Sequence, residues 1–113
     1  MNVTLHKIID AIENLGLKRG WTDADIVKYS YGDCNTTFIL IYKKKNYCTI
    51  FRQLQISQQG EYYTNESSNY NLLSYMENPI SIDYILSEMK TLITQYKDLK
   101  VKFKKYQIEQ DFV

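Results

Sequence analysis

Proline is almost missing from this chain, with Pro79 alone in 113 residues, and the four glycines stand apart at positions 16, 20, 32 and 60. That spacing excludes collagen-like and low-complexity organisation. It also excludes a glycine-rich phosphate loop, because none of these glycines opens a helix after a strand. Cysteine is equally scarce. Cys34 and Cys48 cannot build a disulfide framework. His6 is the one histidine, so Cys and His together give three widely separated residues, fewer than the four ligands of a structural zinc site. Nucleophilic catalysis by either thiol would need a neighbouring base, and His6, on the flank of an amphipathic helix, is the sole imidazole. Asp23, Asp25 and Asp33 have the spacing of magnesium ligands, but acids in loops usually cap turns or stay solvated.

The net charge is +1, so no overall field draws the chain to nucleic acid or membrane. No apolar run approaches the roughly 20 residues of a membrane span. The start, Met1 to His6, lacks the basic and apolar regions of a signal peptide. Asn-x-Ser/Thr triplets at Asn2, Asn35 and Asn65 are accordingly read as unmodified. These absences lead to the expectation of a reduced, cytoplasmic, non-enzymatic protein with no cofactor, no metal and no membrane contact.

Hydrophobic residues make up 44% of the chain and charged residues 24%, which suits an ordinary globular fold. The length accommodates one domain over residues 1–113 with one core. Leu5, Ile8, Ile9, Ile12 and Leu15 recur at helical spacing, so a helix is expected over about 3–15, closed by Gly16 and Leu17. Lys18 to Asp23 reads as a loop. Ile26 to Tyr31 reads as a weak strand, although Thr22 or Asp25 could cap a helical turn there. Gly32-Asp33-Cys34-Asn35 is a turn.

The strongest signal is a hairpin over 36–42 and 47–54, rich in β-branched and aromatic residues. With Asn46 in the left-handed conformation closing a three-residue loop, Tyr42 would face Cys48, Leu40 would face Ile50, and Phe38 would face Arg52. Both faces of that hairpin carry apolar side chains, so both are expected to be covered, by helices or by a partner chain. Tyr62 and Tyr63 could begin another strand. Thr64 to Asn71 reads as an Asn/Ser-rich loop, and Leu72 to Met76 as a helical turn stopped at Asn78-Pro79. Ser81 is a good N-cap for a second helix over about 82–97. Beyond it, Leu99, Val101 and Phe103 alternate with lysines as an edge strand over about 99–106 would. The three-four spacing from Ile82 to Tyr106 would instead carry the helix onward. The strand is preferred, because a helix that long is rare in so small a domain. The fold class expected is thus α+β, with an antiparallel sheet of three to five strands.

Tyrosine is overused, with 11 against 4 phenylalanines. Its half-apolar ring suits contact surfaces. Tyr42-Lys43-Lys44-Lys45-Asn46-Tyr47 at the hairpin tip, with Tyr62 and Tyr63, therefore marks the candidate partner-binding residues: Tyr42, Lys43, Lys44, Lys45, Tyr47, Tyr62 and Tyr63. The function this favours is a non-catalytic protein-binding module that occludes a partner protein. An inhibitor of the toxin-immunity or phage anti-defence kind would do so, as would a dedicated chaperone. Homodimer formation belongs to the same expectation. Lysines interleaved with aromatics at the tip and around Lys100 to Tyr106 also suit single-stranded nucleic acid, and a nucleic-acid-binding accessory protein is the alternative.

Overall fold

The structure, a computed structural model, describes residues 3–20, 23–72 and 80–111. A helix, five strands and a second helix follow one another: α1 Val3–Asn14, β1 Lys18–Arg19, β2 Ile26–Ser30, β3 Ile39–Tyr42, β4 Tyr47–Ile56, β5 Tyr62–Asn71 and α2 Ile82–Asp111. The strands form one antiparallel sheet in the order β1-β2-β3-β4-β5. Every connection is therefore to the nearest neighbour, as short links favour. The helical turn expected over 72–76 falls largely outside the described residues.

The first helix ends as its sequence implies. Gly16 takes φ +107, and the Leu17 amide reaches back to the Ile12 carbonyl at 3.4 Å, folding Leu17 into the core. Ser81 Oγ accepts from the Tyr84 amide at 3.1 Å and caps the second helix.

That helix does not stop near 97. It continues through Asp111, so the expected edge strand at 99–106 is helical. The cause is visible at Phe103. It extends the stripe Ile85, Met89, Leu92, Tyr96, Leu99 by one more turn and packs against Gly60, where an ideal Cβ would lie 3.1 Å from its ring. With no Gly or Pro to stop it and many Lys, Gln and Glu residues to favour it, the helix runs on. At 1.5 Å per residue it is about 45 Å long, and its last turns overhang the sheet: Val101 is 68% exposed.

Residues 64–71, expected as a loop, form most of β5. Asn and Ser are poor strand formers. Here they lie on an edge, paired continuously to β4 from Asn71 opposite Tyr47 to Glu66 opposite Arg52. A further short strand, β1, lies within the expected 18–23 loop and pairs Lys18 with Ser30 and Arg19 with Tyr29.

The hairpin register also differs from expectation. The loop has four residues, Lys43 to Asn46, and Tyr42 faces Tyr47. Asn46 is left-handed as foreseen, with φ 55, but it closes the longer loop. The shift is one residue, so every pair changes. Ile39 now faces Ile50, and Ile41 faces Cys48. With Val27 and Tyr29 of β2 opposite Ile41 and Ile39, these six side chains lie on one face and are all fully buried.

Both helices pack on that same face. Tyr29 Oη donates to Glu13 of α1 at 2.6 Å, and Arg52, on the same face as Ile50, reaches Tyr84 and Glu88 of α2. The molecule thus has two layers. Of the two kinds of cover expected, helices supply it on one face alone: among the described residues no helix lies over the other face.

Candidate binding face

The register fixes what that second face carries. Ile26, Tyr42, Tyr47 and Asn71 form one row across the strands, and Lys28, Leu40, Thr49 and Asn69 the next. Phe51 and Ser67 follow, with Gln55 and Tyr63 at the far end, and Lys18 and Ser30 lie at the β1 side. Ile26, Leu40, Tyr42, Tyr47 and Phe51 are half-buried, and Tyr63 is exposed. No strand position of this face holds a carboxylate, whereas Lys18 and Lys28 lie on it and Lys43, Lys44 and Lys45 border it at the tip.

The tip is organised by ring contact. Tyr42 and Tyr47 stack with centroids 4.3 Å apart and planes 16° off parallel. Lost solvation and the neighbouring Tyr42 hydroxyl push the Tyr47 pKa up. Asp25 anchors the loop from the side: its carbonyl accepts from the Lys43 amide at 2.7 Å, and its carboxylate pairs with Lys44 at 3.1 Å. Asp25, Ile26, Tyr42, Lys44 and Lys45 line a cleft of about 210 Å³ beside the rings. Farther along, Thr49 Oγ donates to Asn69 Oδ1 at 2.5 Å and Tyr63 Oη to Gln55 Oε1 at 3.0 Å, so cross-strand pairs stiffen the face.

Of the residues proposed from sequence, Tyr42, Lys43, Lys44, Lys45 and Tyr47 come together at the tip. Tyr63 shares their face but sits opposite Gln55, eight residues along β4 from Tyr47, roughly 27 Å away at strand rise. Tyr62 points to the helical side, because neighbours on a strand alternate. Its ring packs 5.3 Å from that of Tyr96. Sequence reasoning missed Ile26, Lys28, Leu40 and Phe51 as one surface, for want of the four-residue loop that sets their register.

Three charged clusters lie elsewhere, each satisfied by its own members. Arg52, with its side chain 17% exposed, donates to Tyr70 Oη, to Tyr84 Oη at 2.9 Å and to Glu88 at 3.4 Å. Burial opposes its charge, but these partners hold its pKa above the ordinary arginine value. Hydrogen bonds to Tyr70 and Glu88 push Tyr84 up to about 12. The cluster fastens β4 and β5 to α2. Glu13 accepts from Tyr29 and from Arg19, the latter at 2.7 Å, and the Tyr29 hydrogen bond, then Arg19, lowers its pKa. Tyr96 Oη donates to Asp33 Oδ1, while Lys100 approaches both at 3.3 and 3.4 Å. Among the described residues, no group of three or more His, Cys, Asp or Glu is placed to hold a metal ion. None of the described helices is long and apolar enough to cross a membrane.

Both thiols are free and buried. Burial alone drives Cys48 up to about 12, and burial is also the main cause that raises Cys34. Since the thiolate is the reactive form, neither should react with iodoacetamide or a disulfide reagent in the native protein. Both should react at once in denaturant. Native labelling of either at the rate of a free thiol would contradict this packing. No protein-family model, no curated protein and no solved structure matches the chain.

Proposed function

We propose that this protein is a non-catalytic, cytoplasmic binding module that acts by covering a partner protein with its open sheet face. Inhibitors of the toxin-immunity or phage anti-defence kind work in that way, and so do dedicated chaperones. One observation carries the reading. Both helices pack on one side of the sheet, and the other side joins half-buried apolar and aromatic groups to lysines, with no carboxylate at the strand positions whose register places them on it. Strands of two, five, four, ten and ten residues, about 4.8 Å apart, present roughly 500 Å². With the bordering loop at Lys43 to Asn46 added, that is more than half of the roughly 800 Å² each partner gives to a standard interface. A centre of Ile26, Leu40, Tyr42, Tyr47 and Phe51 inside a lysine rim fits a protein surface that is apolar in the middle and acidic around it.

The test is recovery of a stoichiometric protein partner from native cell extract by the tagged wild type. The partner should be lost with Leu40→Glu or Tyr47→Glu and retained with Thr94→Glu on exposed α2. Recovery of no protein overturns the proposal, and so does equal recovery by all variants. Recovery of single-stranded nucleic acid instead, lost in salt and when Lys43, Lys44 and Lys45 become Ala, would also overturn it and install the nucleic-acid alternative.

A further inference from the structure

Away from the tyrosine tip, the open face ends in polar groups. Lys28 and Ser30 of β2 point to it, and the chain returns beside them after the 31–36 turn with Asn35 and Thr37. With Gly20 and Tyr29, these residues line a cleft of about 260 Å³. Tyr29 turns its ring to the helix side, where its hydroxyl is bound to Glu13. The charged clusters described above satisfy themselves, and this group does not. Among the described residues, no hydrogen bond or ion pair engages the side chain of Lys28, Ser30, Asn35 or Thr37. No carboxylate lines the cleft. Asp23, which feels the charge of Lys28, already accepts from the Asp25 and Ile26 amides at 2.7 and 2.9 Å. Asp33 and Glu61 line a separate cleft, which Asn35 also borders.

We propose that this cleft binds a phosphate monoester of the phosphoserine kind. The Ser30 and Thr37 hydroxyls, the Asn35 amide and the Lys28 ammonium all donate, and none is used up within the chain. Lys18 stands directly opposite Ser30, with Cβ atoms about 4.5–5.5 Å apart, and brings a second ammonium to the same place. A phosphate monoester matches that set. It carries a charge of about −1.5 to −2 at neutral pH and three strong acceptor oxygens. A carboxylate has one charge and two oxygens, and would leave donors idle. A nucleotide would need a ring on which its base could stack, and the cleft-lining residues turn none towards it. The natural occupant, a phosphoserine at the acidic border of the covered protein, rests on the partner reading above. The chemistry of the cleft is tested apart from it.

The probes are the N-acetyl amides of phosphoserine and glutamate, inorganic phosphate and adenosine monophosphate, each titrated at fixed ionic strength into isotope-labelled protein followed by NMR. The phosphoserine probe should shift the amide signals of Lys28, Ser30, Asn35 and Thr37 saturably, and the glutamate probe should bind about tenfold more weakly or worse. Lys28→Ala and Thr37→Val, both with native circular dichroism, should each weaken the phosphoserine probe by about tenfold. Lys90→Ala, which removes an exposed lysine of α2, should leave it unchanged. No saturable shift overturns the proposal, and so does equal binding of the glutamate probe or equal binding by Lys28→Ala and Thr37→Val. Binding of inorganic phosphate alone, or tighter binding of adenosine monophosphate, overturns the phosphoserine assignment. Recovery of a protein partner without any phosphoserine response sinks this inference and leaves the partner reading standing. Phosphoserine binding without a recovered partner removes the partner reading and leaves the chemistry of the cleft intact.

Discussion

Alanine in place of Ile41 is expected to destabilise the protein by about 3 kcal/mol, whereas alanine in place of Leu40, the next residue, should cost about 1 kcal/mol or less. Ile41 is fully buried, opposite Cys48 and Val27. Emptying such a site forfeits burial and leaves a cavity, for roughly 2–5 kcal/mol. Leu40 lies on the open face and already meets water, so only part of its transfer free energy is at stake. Equilibrium denaturation at unchanged slope would give both values.

This contrast examines the layer arrangement itself. A sheet with both faces sealed would lose comparable amounts at the two positions. Equal losses at 40 and 41 would therefore sink the single-sided reading, and with it the surface on which partner binding is proposed. A small loss at 41 would mean that the register of β3 on β4 is the other one. Because neighbouring residues serve as each other's control, effects on the unfolded chain largely cancel.

How far the sequence foretold these features depended on the range of the interaction that decides them. α1 was legible to within a residue, since its apolar stripe, Gly16 and Leu17 are all local. The hairpin was legible as an element but not in register. Asn46 was correctly left-handed, yet whether it closes three or four residues is decided by the Tyr42–Tyr47 stack and by Asp25 holding the loop, and both act across strands. The end of α2 is not legible locally, because alternation with lysines imitates a strand. The continued three-four stripe and the distant Gly60 turn, which receives Phe103, decide for the helix. β5 was hidden by its own composition: Asn and Ser read as loop until β4 supplies a ladder. The candidate face suffered most. Tyrosines and lysines were found by composition, but Leu40, Phe51 and Lys28 join them only when the register is right, and Tyr62 departs for the same reason.

Gly32→Ala is the second substitution expected to act strongly, and it probes the opposite, helix-covered side. Gly32 has φ +62, and an ideal Cβ built on it would lie 2.6 Å from Tyr96 Oη and 2.9 Å from its Cζ. Tyr96 cannot easily move aside. It is 4% exposed, its ring lies against Tyr31 and Tyr62, and its hydroxyl is bound to Asp33 and Lys100. Two penalties therefore add. The left-handed backbone costs an alanine about 1 kcal/mol, and the overpacked ring costs about 1–3 kcal/mol more. The total, about 3 kcal/mol, should lower the thermal midpoint by roughly 10 °C in a domain of this size. The two parts can be separated. Gly32→Asn tolerates the left-handed conformation but still carries a Cβ, so it should retain the steric part alone. Tyr96→Phe removes the atom nearest that Cβ, so Gly32→Ala should cost less in the Tyr96→Phe background than alone, by about 1 kcal/mol in a double-mutant cycle. Strict additivity would show that the 31–36 turn does not rest on Tyr96, and that α2 is held to the sheet by Arg52 and the apolar stripe without it.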